Sequence, residues 1–299
     1  GEHNAVLVDK RLYFHGGWSL EEKGMAPNQL FYLDVSKSFT TFDISLMPWT
    51  DLSSISGVTR KTGATACVDE TTIYFIGGSH YGGLVSKFDT ISLQWSEPTT
   101  SGSIPVEEIR WTQCVILGHK IYIYGGYTVL LDTSKLFWST FTSSLIYSGT
   151  QDYSATLLND SIIYIGGASN TLGAQHNRIL LFYGTGDITI NSLDTLTFIW
   201  TIPVILNSGG PLRYLVEHTA TLIEAYILIA FGFYLNDKGA LDSSTSDIFL
   251  LDVSHKDNYK WVTTYDPINS IQPIPASPTS PSNINIGAVI AGTIVGGII

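Results

Sequence analysis

The sequence predicts an all-β chain: a β-propeller of four-stranded antiparallel blades, followed by a disordered stalk and an apolar C-terminal segment. Two observations predict it. The first is a recurring hairpin that ends on two glycines, with IYIYGG at 121–126 as its plainest form. Five copies run from His3 to Gly17, Gly63 to Gly78, Thr112 to Gly126, Tyr153 to Gly167 and Glu217 to Gly232. In each, small and β-branched residues meet a polar turn and then an apolar strand rich in Tyr and Phe, as in a buried antiparallel pair. The second observation is a fixed order of elements after the glycines: a loop, a strand ending in Asp, a turn, and a strand carrying Trp. The second glycines stand at 17, 78, 126, 167 and 232, so the intervals are 61, 48, 41 and 65 residues. Each interval holds four short strands and their loops, which is one blade per repeat.

Taken in order, unit one has its hairpin turn at Asp9-Lys10, a third strand at Leu30 to Val35 and a fourth at Pro48 to Leu52. Unit two turns at Asp69-Glu70 and continues with Val85 to Asp89 and Leu93 to Pro98. Unit three turns at Gly118-His119 and is compressed: Lys135 to Phe141 stands where the Trp strand or its predecessor belongs. Unit four turns at Asn159-Asp160 and inserts a long loop, 168–187, before strands at Ile190 to Asp194 and 198–200. Unit five ends its hairpin on Phe231-Gly232 and continues with Ile248 to Val253 and Tyr259 to Tyr265. The double glycines are expected where a Cβ would clash as the backbone bends and packs close. The Trp residues are expected between blades. Asp34, Asp89, Asp194 and Asp252 end equivalent strands and read as turn formers.

These features resemble the kelch repeat. They are the double glycine, the Tyr two or three residues before it (Tyr13, Tyr74, Tyr122, Tyr164) and the downstream Trp (Trp49, Trp95, Trp138, Trp200, Trp261). The resemblance covers about residues 3–265 and implies a propeller of the galactose oxidase/kelch type. Propellers of that family usually close with six or seven blades; five units are counted here. With its apolar C-terminal end, the chain resembles membrane-anchored kelch proteins of the fungal type.

Composition bounds the partners. The net charge is −11, from 15 Lys plus Arg against 26 Asp plus Glu, which repels a phosphate backbone and argues against nucleic acid. Cys67 and Cys114 are the chain's two cysteines, on the first strands of successive hairpins. They read as two buried free thiols; the alternative, a bridge between neighbouring blades, needs Cα atoms within about 7 Å. Gly1 opens directly on the first repeat, and no signal peptide is legible ahead of it.

Beyond residue 265, segment 266–283 is rich in Pro, Ser and Thr and reads as an extended stalk. Residues 284–299 carry no charge, and Ala288/Gly292 and Gly292/Gly296 form small-xxx-small pairs. Sixteen such residues read as the start of a transmembrane helix, with a cleaved lipid-anchor signal as the alternative. This reading makes the chain a single-pass membrane protein, with the propeller on the extracellular or lumenal side. Asn159, in the sequon Asn159-Asp160-Ser161, is the expected glycan acceptor.

No catalytic constellation is legible, and no metal or cofactor is expected. The seven histidines lack the close spacing of a metal pair. Neither a GxSxG elbow, a phosphate loop nor HExxH occurs. The enzymatic alternative is a copper radical oxidase of the galactose oxidase type, which needs a Cys-crosslinked Tyr, a second Tyr and two His around one copper. The preferred reading is a non-catalytic binding module. Its expected surface combines residues just after the glycines, Trp18, His80, Tyr81, Tyr127, Asn170, Phe233 and Tyr234, with Arg60, Arg110 and Arg213, which enter successive hairpins. Trp111, Tyr153 and Tyr214 belong to the same entry segments. Aromatic and Arg side chains on a rigid frame are common recognition anchors. The ligand is a protein or glycan, and the arginines on an acidic chain suggest an acidic or carbohydrate-like one.

Overall fold

The structure, a computed structural model, describes residues 1–20, 24–25, 28–80, 83–105, 109–124, 128–141, 150–158, 161–169, 192–193, 200–201, 204–213, 215–236, 241–255 and 258–267. A first compact unit runs Gly1–Pro267. The segment expected as a stalk beyond Pro267, the apolar segment 284–299 and Asn159 lie outside the described residues.

The alternation of apolar and polar residues becomes antiparallel sheet throughout. Among the described residues the single helix is one 3-10 turn, Ile44–Leu46. Blade one orders its strands Asn4–Val8, Arg11–His15, Leu30–Asp34 and Trp49–Asp51 from one edge to the other. Blade two repeats this with Thr65–Asp69, Thr72–Ile76, Val85–Asp89 and Gln94–Ser96. Blade three has Cys114–Ile116, Lys120–Tyr124, Thr128–Asp132 and Phe137–Phe141. Blade five has Thr219–Ile223, Tyr226–Ala230, Ile248–Asp252 and Asn258–Val262. In blade four the hairpin Thr150–Leu158 with Ser161–Ser169 is described, as is the short pair Ser192–Leu193 with Trp200–Thr201.

Neighbouring blades meet along their first strands. Asn4–Val8 lies beside both Thr219–Ile223 and Thr65–Asp69; Cys114–Ile116 lies beside Thr65–Asp69 and Thr150–Leu158. The first strands therefore line the axis, and around it the blades run five, one, two, three, four. Among the described residues, three pairs of neighbouring blades bury their faces against each other. Leu12, Phe14 and Leu33 of blade one pack with Leu228, Ala230 and Leu250 of blade five. Tyr13 and Leu30 of blade one pack with Ile73, Phe75, Phe88 and Trp95 of blade two. Tyr74, Ile76 and Val85 of blade two pack with Ile121, Leu131 and Trp138 of blade three. A buried aromatic removes about 150–250 Å² from water, so at about 25 cal/mol/Å² these rings dominate the cohesion between blades. Trp49, Trp95 and Trp138 thus lie between blades, while Trp261 is buried in a cluster of blade five's own residues.

Several expectations are corrected. Cys67 and Cys114 form a disulfide, with Cα atoms 6.0 Å apart, and are not free thiols. They stand one repeat position apart: Cys67 pairs with Tyr74, but the residue pairing with the equivalent Tyr122 is Val115, so Cys114 is one step earlier. Successive side chains on a strand point to opposite faces, so this offset turns one sulfur toward each side of the interface between blades two and three. Unit three is compressed only in its loop, since Thr128–Asp132 follows the glycines almost at once and Phe137–Phe141 is the Trp strand. The last strand of unit five divides. Asn258–Val262 stays in its blade, whereas Thr264–Tyr265 pairs with Phe39–Thr40 of blade one. Two further strands are parallel edge additions: Ser101–Gly102 borders the outer strand of blade three, and Val204–Ile205 that of blade five. Both cover backbone groups that an edge would leave open.

The topology gives the ring two unlike faces. The hairpin turns and the connections between third and fourth strands lie on one, the turn face. The glycines, their loops and the segments entering each blade lie on the other, the glycine face. Tyr265 belongs to the turn face: its hydroxyl donates to Val35 O at 3.0 Å, and its ring stacks on Phe39 and meets Tyr226 edge-on. Among the described residues no helix is long and apolar enough to cross a membrane.

Candidate functional site

The glycine face is built by backbone hydrogen bonds between one blade and the next. Gly17 N donates to Lys61 O at 2.8 Å and Gly78 N to Ile109 O at 2.6 Å, so each double glycine grips the segment that enters the next blade. The approach leaves no space for a side chain. A Cβ on Gly16 would lie 2.1 Å from Lys61 O and one on Gly77 2.0 Å from Ile109 O, and both residues are in the left-handed region, φ 70° and 73°. In blade five Phe231 takes the same conformation, φ 59°, and its ring packs on Phe14, Phe31, Trp49 and His3 at the junction with blade one.

A second layer of bonds runs closer to the axis. Gly63 N donates to Glu2 O at 3.0 Å, and Trp111 N to Gly63 O at 2.9 Å. Glu2, Gly63, Trp111 and Glu217 occupy the same repeat position, and all four are left-handed, with φ between 50° and 65°. A Cβ on Gly63 would lie 2.9 Å from Trp111 Nε1, so the indole rests directly over this glycine. The Arg110 guanidinium lies 5.2 Å from the Trp111 ring centre, a cation–π distance.

The loops join the entry segments within blades as well. Ser79–His80 pairs with Lys61–Thr62, and Phe233–Leu235 with Leu215–Val216 and Leu241–Ser244. The structure brings Trp18 and Phe233 together across blades one and five, ring centres 5.3 Å apart. Phe233 is fully buried, so it props Trp18 from beneath. Tyr234 is half-buried; its hydroxyl donates to Asp247 at 2.6 Å, and burial, followed by this acid, pushes its pKa up to about 12. Arg213 lies 5.2 Å over the Tyr234 ring and bonds Asp242 and Leu235 O. Arg60 donates to Asn28 at 3.3 Å. His80 is placed by its strand, while Tyr81, Tyr127, Asn170 and Tyr214 lie outside the described residues.

Sequence reasoning found the aromatics and arginines but missed the acids beside them. Asp242 and Asp247 arrive from the third strand of the Leu215–Val216 sheet and the turn after it. Glu2 and Glu217 were open to view as the residues preceding His3 and His218, the matched starts of repeats one and five. Beneath the face, burial lowers Lys61 to about 8, with Glu97 opposing the shift, and its Nζ donates to Gly83 O at 3.0 Å.

Comparison with known proteins agrees with this geometry. The KLHDC2/KLHL20/DRC7 Kelch-repeats domain family matches residues 2–185. The chain belongs to the kelch-repeat family. Kelch domain-containing protein 3 of Bos taurus and of Rattus norvegicus is similar at 27% identity over 222 residues, and that of Homo sapiens at 26%. Each alignment covers 66% of this chain and 55% of the relative, so the chain spans about half the length of the curated relatives it matches. Kelch-repeat domains are typically protein-interaction modules, generally without enzymatic activity. Among the described residues of this kelch chain, no three His, Cys, Asp or Glu side chains cluster in a way that could hold a metal ion.

Proposed function

We propose that this kelch propeller is a non-catalytic recognition module whose glycine face binds a protein partner, and that stalk 266–283 and segment 284–299 display it on a membrane. The observation that carries the reading is the bonded frame of the glycine face. It fixes Trp18, Trp111 and Tyr234, with Arg110 and Arg213 stacked on two of them, and a partner then loses little entropy in ordering them. Because Arg213 is already matched by Asp242, the face offers mixed charge, which favours a protein partner over a polyanion. Tyr265, where the described chain leaves the propeller, lies on the face opposite the recognition surface, so attachment at that point leaves the surface uncovered by its own root. A disulfide between blades suits an extracellular or lumenal setting, where such bonds persist.

The radical-oxidase alternative loses its chemical basis with the same bond. Cys67 and Cys114 are the only cysteines and are joined to each other, which leaves no thiol to cross-link a tyrosine. The test is affinity capture with the full chain in nanodiscs, wild type against a folded variant carrying Trp18→Ala, Trp111→Ala, Arg213→Ala and Tyr234→Ala. Loss of the captured partner is expected. Undiminished capture overturns the placement of the surface, and binding on a glycan array that the four substitutions abolish replaces the protein partner with a sugar.

A further inference from the structure

The turn face carries large apolar side chains in solvent. On blade one the connection around Ile44–Leu46 exposes Phe42 at 82% and Leu46 at 80%. Blade two exposes Ile91 at 75%, and Leu93 beside it, in the equivalent connection. Blade three adds Leu117 and Phe137. Three consecutive blades therefore present apolar groups toward one side, while Trp111, Leu212 and Leu241 are exposed on the other.

That side is also where the described chain leaves the propeller. Thr41 N, next to Phe42, donates to Thr263 O at 2.8 Å, and Thr264–Tyr265 pairs with Phe39–Thr40. Beyond it come 266–283 and then sixteen residues without a charge. The charged groups of the face are mixed, and most are internally engaged: Lys10 pairs with Glu224 and His119 with Asp69. Asp34 accepts from Ser36 and pairs with Lys37, Asp43 accepts from Ser45, Asp89 from Ile91 and Ser92, and Asp132 from Ser134 while pairing with Lys135.

From this juxtaposition we infer that the turn face is a lipid-contacting surface, and that Phe42, Leu46, Ile91 and Leu93 enter the interface of a zwitterionic phospholipid bilayer. The inference rests on the proposed membrane display and adds to it which face meets the lipid, which side chains enter it, and which headgroups are accepted. A tether of 266–283 permits contact or lift-off; apolar side chains beside its root favour contact, as amphipathic surfaces partition into headgroup regions. Asp43 and Asp89, held by hydroxyl and amide donors in place of a cation, leave negative charge on the face and disfavour an anionic leaflet.

The experiment uses the full chain reconstituted in phosphatidylcholine vesicles, with p-benzoylphenylalanine substituted singly for Phe42, for Ile91 or, as a control on the glycine face, for Leu212, which is 95% exposed. After illumination, mass spectrometry is expected to find a phospholipid adduct at 42 and 91 and none at 212. Replacing part of the lipid with phosphatidylserine is expected to lower the yield about fivefold. Co-flotation with vesicles but no adduct at 42 or 91 overturns the inference and leaves membrane display standing; failure to co-float overturns both. Equal adducts at 212, or cross-links in cell membranes that go to a protein in place of lipid, also overturn it.

Discussion

Gly77 and Gly118 share a left-handed backbone, φ 73° and 53°, yet differ in their surroundings. A Cβ at Gly77 would meet Ile109 O and its carbon, whereas at Gly118 nothing lies within 4 Å. Gly118→Ala therefore costs only the conformational penalty, about 1 kcal/mol. Gly77→Ala adds the displacement of the next blade's entry segment and should cost about 3 kcal/mol or more. Urea denaturation of the two variants separates these effects, and equal losses would refute the grip between blades. A second residue-scale consequence concerns acid. Burial lowers His15 and His218 to about 4, and His3 to about 3. An unfolded chain takes up these protons near 6.5, so the unfolded state binds more protons below that pH. Stability is then complete above about 6.5 and falls as the pH drops toward 4, by at most about 1.4 kcal/mol per unit for each histidine. Urea midpoints at a series of pH values are expected to fall through this window as the pH is lowered from about 6.5 to about 4.

At the level of elements, the disulfide ties together two strands that the hairpin pattern alone only places side by side. It closes a sequence separation of 47 residues, and loop entropy assigns it about 4 kcal/mol, to be read as a ceiling. Cys67→Ser with Cys114→Ser should lower the melting temperature by several degrees, and wild type heated with reductant should melt alongside that variant. The pairing was within reach of the sequence, because counting residues back from Tyr74 and Tyr122 reveals the one-step offset that makes the sulfurs face each other. Hairpins and third strands were legible because apolar periodicity and glycine punctuation are local. Ser101–Gly102, Val204–Ile205 and Thr264–Tyr265 were not, since each is two residues long and is a strand only by virtue of a partner remote in sequence. The candidate site divides the same way. Its aromatics follow the glycines and could be found, while Asp242 and Asp247 reach Arg213 and Tyr234 only through the fold.

For the whole molecule, the contact between blades five and one decides whether the described ring holds. Three residues at the end of the propeller secure it on the turn face: Thr263 receives the Thr41 N–H, Thr264 pairs with Thr40, and Tyr265 is buried with its hydroxyl on Val35. Tyr265→Ala removes a ring stacked on Phe39 and should cost about 3–5 kcal/mol, whereas Tyr265→Phe loses one hydrogen bond, about 1 kcal/mol, and leaves the carbonyl without that donor. Limited proteolysis should cut the Ala variant first in the connection around Phe42; a digestion pattern like that of wild type would show that the ring is secured elsewhere.

That fastening also sets a clock. Val35 and Tyr265 are 230 positions apart, so at about 5–20 residues per second the ribosome needs roughly ten to fifty seconds to deliver the second after the first. Throughout this wait the face of blade one that carries Leu12, Phe14 and Leu33 has nothing to cover it, because its cover is the last blade to be made. Over that interval the uncovered apolar face is open to other partners, and a chain stopped just before residue 263 would keep it without the Thr263–Tyr265 fastening.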